Sequence, residues 1–373
     1  MIYFDNAATT SSTYAPKLYY NPSSPHALGI ASERALRDAR ITIASALNSM
    51  NKSVNRSQIN IANTTPPPSS DEIVFTSGGT ESNNLAILGF TLANTKHGVS
   101  LVASPHEHPS ITAPIHFAQE RNWATAKDAE HKASLISISH INHETGDIND
   151  IEAISSDIKK NNQAAVIHID GAQGFCKEYV SLRNIDMYSF SGHKIHGPTG
   201  VGGLWVKNGI RLTPLQHGGG QESNLRAGTE NVAAIVQMAE SAKNLSHSIQ
   251  ENHNHVSKLK MVLASLQDSL PDITINTLSQ DTSPYILNMS FFGVKGEILV
   301  HALSEKGVFV SMGAACNSRK RAKSALEIMG FPLEIAQSAV RFSFSPFNTC
   351  EEAEQACEIV VDIVKRLRSI IRK

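Results

Sequence analysis

Apolar residues along this chain follow two rhythms. Short, nearly continuous apolar runs bounded by Gly, Pro or polar clusters read as buried strands: the run after Glu72, then Val99–Ala103, Leu135–Ser139, Ala165–Ile169, Met187–Phe190 and Val201–Val206. Between them the apolar positions fall at helical spacing. Residues 29–47 show helical spacing, with Ile30, Leu36, Ile43 and Leu47 among the apolar positions, and further helices are predicted from about Thr80, over Ser110–Glu120 and over Asp150–Lys160. Strand and helix in alternation predict an α/β domain with a mainly parallel sheet. From Glu230 to Leu270 the pattern is helical and stops at Pro271. Beyond it come Tyr285–Phe291, a helix from Lys295, Val308–Val310, Val340–Phe344 and a last helix from Glu351. That order predicts a smaller α+β domain, to which the strand at residues 2–4 is added. The expected division is 12–250 for the large domain, with 1–11 and 251–373 forming the small one. The stretch Asn48–Ser70, rich in Asn, Ser and Pro, reads as a surface excursion and is assigned no chemistry.

Composition narrows the functional classes. The chain has 373 residues, 41% hydrophobic and 18% charged, with a formal net charge of −1. No basic excess is present to neutralise phosphates, so direct binding to nucleic acid or an anionic membrane is not expected. The opening Met1-Ile-Tyr-Phe-Asp-Asn6 lacks the basic and apolar segments of a signal peptide, and no apolar run reaches membrane-spanning length. Cys176, Cys316, Cys350 and Cys357 are too few and too scattered for a disulfide framework. A reducing, cytoplasmic setting is the expectation.

Polar clusters follow the predicted strands. His106-Glu-His108, Asn142-His-Glu144, Asp170-Gly-Ala-Gln173 and Lys194 come after four successive ones. Ligands of parallel α/β sheets gather at the carboxyl ends of strands. Lys194 lies on a turn bordered by glycine, with Ser191 and His193 beside it. A lysine in a partly dry site loses its proton more readily and can join the aldehyde of pyridoxal phosphate. Gly78-Gly79-Thr80 stands between a strand and a helix, where backbone N–H groups and a hydroxyl suit a phosphate monoester, although such a run is also an ordinary tight turn. The run Asn317-Ser-Arg-Lys-Arg321 places cations near Cys316, which favours a thiolate. By residue type alone, a small apolar filler is the simpler reading of that cysteine.

Eight motifs occur together in order: Thr76-Ser-Gly-Gly-Thr-Glu-Ser82, Glu107-His108, His168-Ile-Asp-Gly-Ala-Gln173, Ser189-Phe-Ser-Gly-His-Lys194, His217-Gly-Gly-Gly-Gln-Glu222, Arg226-Ala-Gly-Thr229, Gly313-Ala-Ala-Cys-Asn-Ser318 and Arg341-Phe-Ser343. In this order and spacing, over nearly the whole chain, the sequence resembles the cysteine desulfurases, fold-type I pyridoxal phosphate enzymes of the class V aminotransferase branch. The resemblance implies a large domain with a mainly parallel seven-stranded sheet and a smaller domain carrying the cysteine loop. It implies that Lys194 holds the cofactor and shuttles protons, Asp170 pairs with the ring nitrogen and His108 stacks on the ring as an acid/base group. Gln173 and His143 would bond the ring oxygen, while Gly79, Thr80, Ser191 and His193 hold the phosphate. Thr229 would reach the phosphate of a partner subunit, so a homodimer with shared sites is implied. Arg341 would bind the substrate carboxylate, with Asn142 beside it, and Cys316 would take sulfur from L-cysteine as a persulfide. No metal is implied. An acceptor protein, in iron–sulfur cluster assembly or tRNA thiolation, would receive the sulfur.

The chain departs from the family pattern at His143, where a second Asn is usual, and at Ser311-Met-Gly-Ala-Ala315, where Ser-Ser-Gly-Ser-Ala is usual. A histidine there can change charge near neutrality. The departures leave room for a selenocysteine lyase, another class V aminotransferase or lyase, or a weakened non-catalytic paralogue. Sixteen histidines also raise a metal hydrolase, but no HExxH-type spacing is present.

Overall fold

The computed structural model describes residues 1–11, 18–52, 66–126, 133–312 and 324–371. They form two compact units: residues 11–140 with 149–249, and residues 1–10 with 141–148 and 250–373.

The chain starts in the smaller unit with β1 (Ile2–Tyr3). The larger unit then contributes β2 (Ile73–Thr76), β3 (Val99–Ala103), β4 (Ala124–Ala126), β5 (Leu135–Ser139), β6 (Val166–Asp170), β7 (Met187–Ser191) and β8 (Gly202–Val206). These seven strands form one sheet in the order β2-β8-β7-β6-β5-β3-β4. All neighbours run parallel except β8, which is antiparallel to both β7 and β2. Because β8 reverses between them, β2 points the same way as β7. The carboxyl ends of β2, β3, β5, β6 and β7 therefore share one edge.

The two-residue period of the strands loads both faces of this sheet. Ile73, Phe75, Ile167, Ile169, Tyr188, Phe190 and Trp205 pack into one core with the helices Ala27–Met50 and Val232–His247. Val74, Met187, Leu204 and Val206 face a second core with Leu85, Ile87, Phe90, Ile111 and Ile115. Burial on both sides explains why the strands read as continuous apolar runs rather than alternating ones.

In the smaller unit, β10 (Ile286–Phe291) lies between β9 (Ile273–Ile275) and β12 (Ala339–Ser343), both antiparallel to it, while β1 pairs in parallel with β11 (Val308–Phe309). Leu259, Leu263, Phe291, Leu303, Phe342 and Ile363 close its core. The segment 141–148 belongs to this unit because Ile141 packs against Ala7 and Ile286, Asp147 bridges to Thr282, and Asn288 donates to the Glu144 carbonyl. The predicted helical stretch 230–270 is three helices, Val232–His247, Ile249–Ala264 and Leu266–Ser269. Ser248 leaves helical geometry (φ −119°, ψ 23°), and the chain passes between units just after it. No helix among the described residues is long and apolar enough to cross a membrane.

Candidate active site

The register of β2, β8 and β7 sets the first part of the site. Thr76 and Ser191 both pair with Gly202, one from each side. The chain leaving β2 must then turn directly over Gly202. A Cβ there would stand 2.7 Å from Gly78 C and Cα and from the Phe190 carbonyl, so only glycine fits. Gly78 itself has φ 156° and ψ 179°, a conformation open essentially to glycine alone. A helix opens at Gly79 and continues with helical backbone through a five-residue π segment to Asn94. The N–H groups of its first turn lack intrahelical acceptors and carry the positive end of the helix dipole. The Ser191 hydroxyl lies beside them: a Cβ on Gly79 would be 3.6 Å from Ser191 Cβ. Ser191 Oγ is buried and has no hydrogen-bond partner among the described residues. A buried hydroxyl left unpaired costs roughly 1–3 kcal/mol. An anion seated at the helix start would satisfy it. Thr80 is exposed on the same turn.

Asp170 ends β6 level with Ser189 on β7 and Ser139 on β5. It is 6% exposed. Its Oδ1 accepts from the Ala172 N–H at 3.0 Å and its Oδ2 from Asn83 Nδ2 at 2.9 Å. Asn83 Nδ2 also donates to Ser110 Oγ at 2.8 Å, and Ser110 Oγ lies 2.7 Å from His108 Nδ1. One hydrogen-bonded chain thus joins the carboxylate to the imidazole. His108 caps the helix Pro109–Glu120, its Nδ1 accepting the Ser110 N–H at 3.1 Å, and the rest of the residue keeps an open surface. That surface opens on a cleft of about 620 Å³ shared with Thr80, Asn84, Leu88 and Phe117.

Lys194 closes a turn of 3₁₀ helix, Gly192–Lys194, directly after β7. Burial holds the pKa of His108 below its ordinary value; Asp170 pushes it up and Lys194 pushes it down. The charges at 170 and 194 therefore both bear on one imidazole. Burial, with Lys194 and then Lys177, brings His193 down to about 4, leaving a neutral ring. Burial and Lys194 bring Lys177 down to about 7. Glu107 accepts the Ser139 N–H at 3.0 Å, and burial raises its pKa to about 7 with a contribution from Asp170. Gln173 is buried in the turn after Asp170, and Thr229 is exposed three residues beyond Arg226, which pairs with Glu81 at 3.0 Å.

Among the described residues, three of the predicted ones, Asn142, His143 and Arg341, lie in the smaller unit. Arg341, on β12, is 6% exposed; its Nη1 donates to the His143 carbonyl at 2.8 Å, and its Nη2 is 3.4 Å from Asp5 Oδ1. Glu144 Oε1 lies 3.8 Å from Nη1 and 3.6 Å from His143 Nε2. Arg341 Nε is buried without a hydrogen-bond partner among the described residues. Asn142 Oδ1 accepts the N–H groups of Glu144 and Thr145, so its oxygen is committed to its own turn. Cys316 lies outside the described residues.

Sequence reasoning passed over Asn83, Ser110 and Lys177. A signal for Asn83 existed: it is four residues after Gly79 and so on the same helix face. Ser110 stands at the second helical position after His108, where a side chain meets the cap.

The sequence model of the aminotransferase class-V family matches residues 2–355. The NifS/IcsS protein homolog of Lactobacillus delbrueckii is 37% identical, over 95% of each chain. Cysteine desulfurase IscS of Dictyoglomus turgidum is 32% identical, over 99% of this chain and 96% of its own. The chain belongs to the class V aminotransferases, in their cysteine desulfurase family. Among solved structures, a NifS-like protein superposes with a TM-score of 0.84 at 29% identity, covering 98% of this chain and 99% of its own. The NifS-like protein of Rickettsia africae gives 0.79 at 27% identity, over 99% of both. Family and fold agree with the α/β reading of the sequence.

Proposed function

We propose that the protein is a cysteine desulfurase that takes sulfur from L-cysteine, releases L-alanine and holds the sulfur as a persulfide on Cys316. Its cofactor is pyridoxal 5′-phosphate, as in the class V family. The site suits that cofactor in kind: an anion cradle with an unpaired buried hydroxyl at Ser191, a buried carboxylate at Asp170 and a lysine at 194 share one edge of the sheet. This is the observation that carries the reading.

When bound, the cofactor supplies an electron sink that weakens bonds at Cα and Cβ of an amino acid. Gly79, Thr80, Ser191 and His193 hold its phosphate, and Asp170 keeps a proton on the ring nitrogen. Gln173 and His143 bind the ring oxygen. His108 would stack on the cofactor ring. Lys194 carries the cofactor and moves protons between Cα and Cβ. Arg341 would bind the substrate carboxylate, for which the planar fork of its guanidinium is suited. The reaction balances as thiol plus L-cysteine giving persulfide plus L-alanine. The Cβ–S bond breaks, the sulfur joins Cys316, and Cβ gains the proton. Thr229, exposed on its loop, reaches the phosphate of a second copy, so the working unit is a homodimer. The persulfide then passes to an acceptor protein, of the kind that serves iron–sulfur cluster assembly or tRNA thiolation.

Purified protein loaded with pyridoxal phosphate and given L-cysteine with a thiol reductant tests the reading. Equal amounts of alanine and sulfide are expected. Alanine formed equally well by Cys316→Ala would overturn the role of the thiol, and a preference for L-selenocysteine would move the assignment to a lyase.

A further inference from the structure

The hydrogen-bond chain between His108 and Asp170 has a direction. The Asn83 amide must present its nitrogen to Asp170, because an amide oxygen there would confront Oδ2 of a carboxylate. Its two protons then serve Asp170 Oδ2 at 2.9 Å and Ser110 Oγ at 2.8 Å. Ser110 Oγ keeps a second lone pair, so its proton is placed by the histidine: Nδ1, 2.7 Å away, already accepts a backbone N–H and takes the hydroxyl proton as well. The Ser110 backbone N–H points to the same nitrogen at 3.1 Å. A ring nitrogen facing two donors carries no proton, so neutral His108 holds its proton on Nε2.

Stability alone does not account for this arrangement. Asn83 is 1% exposed, and its Oδ1 is buried with no hydrogen-bond partner among the described residues. An orphaned carbonyl is a cost that an apolar residue of the same shape would avoid. Pro109, at the first helical position, offers no N–H, so the first amide available to the cap is that of Ser110.

We propose that Asn83 and Ser110 are positioning residues that lock His108 as the Nε2–H tautomer and tie its orientation to the Asp170 carboxylate. The assignment rests on the pyridoxal phosphate reading of the site. It gives His108 a narrower role than acid/base catalyst. With Nδ1 blocked, the neutral ring cannot accept a proton, and it serves as a fixed hydrogen-bond donor through Nε2. Proton transfer then belongs to Lys194.

The tautomer is read directly from ¹⁵N-histidine spectra of the cofactor-loaded protein, with His108→Gln assigning the signals. The wild type is expected to show His108 Nδ1 as an unprotonated ring nitrogen at neutral pH. Ser110→Ala and Asn83→Leu should shift both ring signals toward a tautomer mixture and lower kcat about tenfold with little change in KM. Ser110→Thr should restore both. His108→Gln, which keeps a side-chain N–H donor, should retain more activity than His108→Ala. A protonated Nδ1 in the wild type would overturn the proposal, as would Ser110→Ala with an unchanged spectrum. Should Asn83→Leu fail to fold by circular dichroism, the wild-type spectrum and the Ser110 pair still decide. Wild type that takes up no pyridoxal phosphate would instead defeat the functional reading, and the tautomer of the unloaded protein would still be measurable.

Discussion

Arg40 and Glu222 form a two-pronged ion pair, with Nη1–Oε2 and Nη2–Oε1 both at 2.8 Å, although 182 residues separate them. The Glu222 side chain is 2% exposed, and its Oε2 also accepts the Phe75 N–H at 2.8 Å. Glu222, Ser223 and Asn224 all have positive φ, 48°, 57° and 64°. Three consecutive non-glycine residues in that region are costly, and the pair from the helix Ala27–Met50 holds them there. The turn leads directly into Arg226-Ala-Gly-Thr229. Arg40→Met leaves Glu222 buried and unpaired. It should cost about 3–5 kcal/mol in urea unfolding and increase hydrogen exchange across 216–229.

Gly202→Ala tests the crossing of β2 over β8. The added methyl meets backbone at 2.7 Å on both sides and cannot be accommodated by a rotamer change. Stability should fall by about 1–3 kcal/mol. Because Gly78 must move, pyridoxal phosphate affinity in a reconstitution titration should fall with it. Unaltered affinity would separate the turn from the phosphate site.

Acid and base limbs of stability have opposite origins. His168, His193 and His196 have pKa values brought down to about 4, chiefly by burial. Unfolded, they bind protons near 6.5, so their contribution is complete above that pH and is lost as pH falls toward 4. Glu107 behaves in reverse. Folded, it stays protonated up to about 7, while unfolded it ionises near the ordinary carboxylate value of 4.5. Its contribution is present below 4.5 and disappears as pH rises through 7. Glu107→Gln should therefore raise the stability of the cofactor-free protein at pH 8 by about 2 kcal/mol and change little at pH 4. Urea midpoints across pH 4–8 check both limbs.

Cys316→Ala should leave cofactor uptake and its absorption unchanged while sulfide release from L-cysteine falls to background. Mass spectrometry of the wild type after brief exposure to L-cysteine should find one extra sulfur on the peptide containing Cys316. An extra sulfur on Cys350 or Cys357 would relocate the acceptor thiol.

The strands were legible because burial on both faces of a parallel sheet writes unbroken apolar runs. Val99–Ala103 and Leu135–Ser139 appear at the residues expected from the pattern. Ala124–Ala126 and Ile273–Ile275 gave no such signal, since three-residue edge strands carry too few apolar positions to form a run. The segment 141–148 follows β5 in sequence, yet its unit is set by Ala7 and Ile286, contacts that no local pattern records. Lys194, Asp170 and the Gly78-Gly79 turn stood out because strand ends concentrate polar residues. Asn83 and Ser110 did not, because their importance lies in hydrogen bonds spanning 87 and 27 residues.

The attachment of the cofactor tests the account most directly. Protein loaded with pyridoxal phosphate is reduced with borohydride, digested and mapped by mass spectrometry. The account predicts a phosphopyridoxyl group on Lys194 and loss of the label in Lys194→Ala. A label on Lys177, a buried lysine that Lys194 influences, or on no lysine, would contradict it.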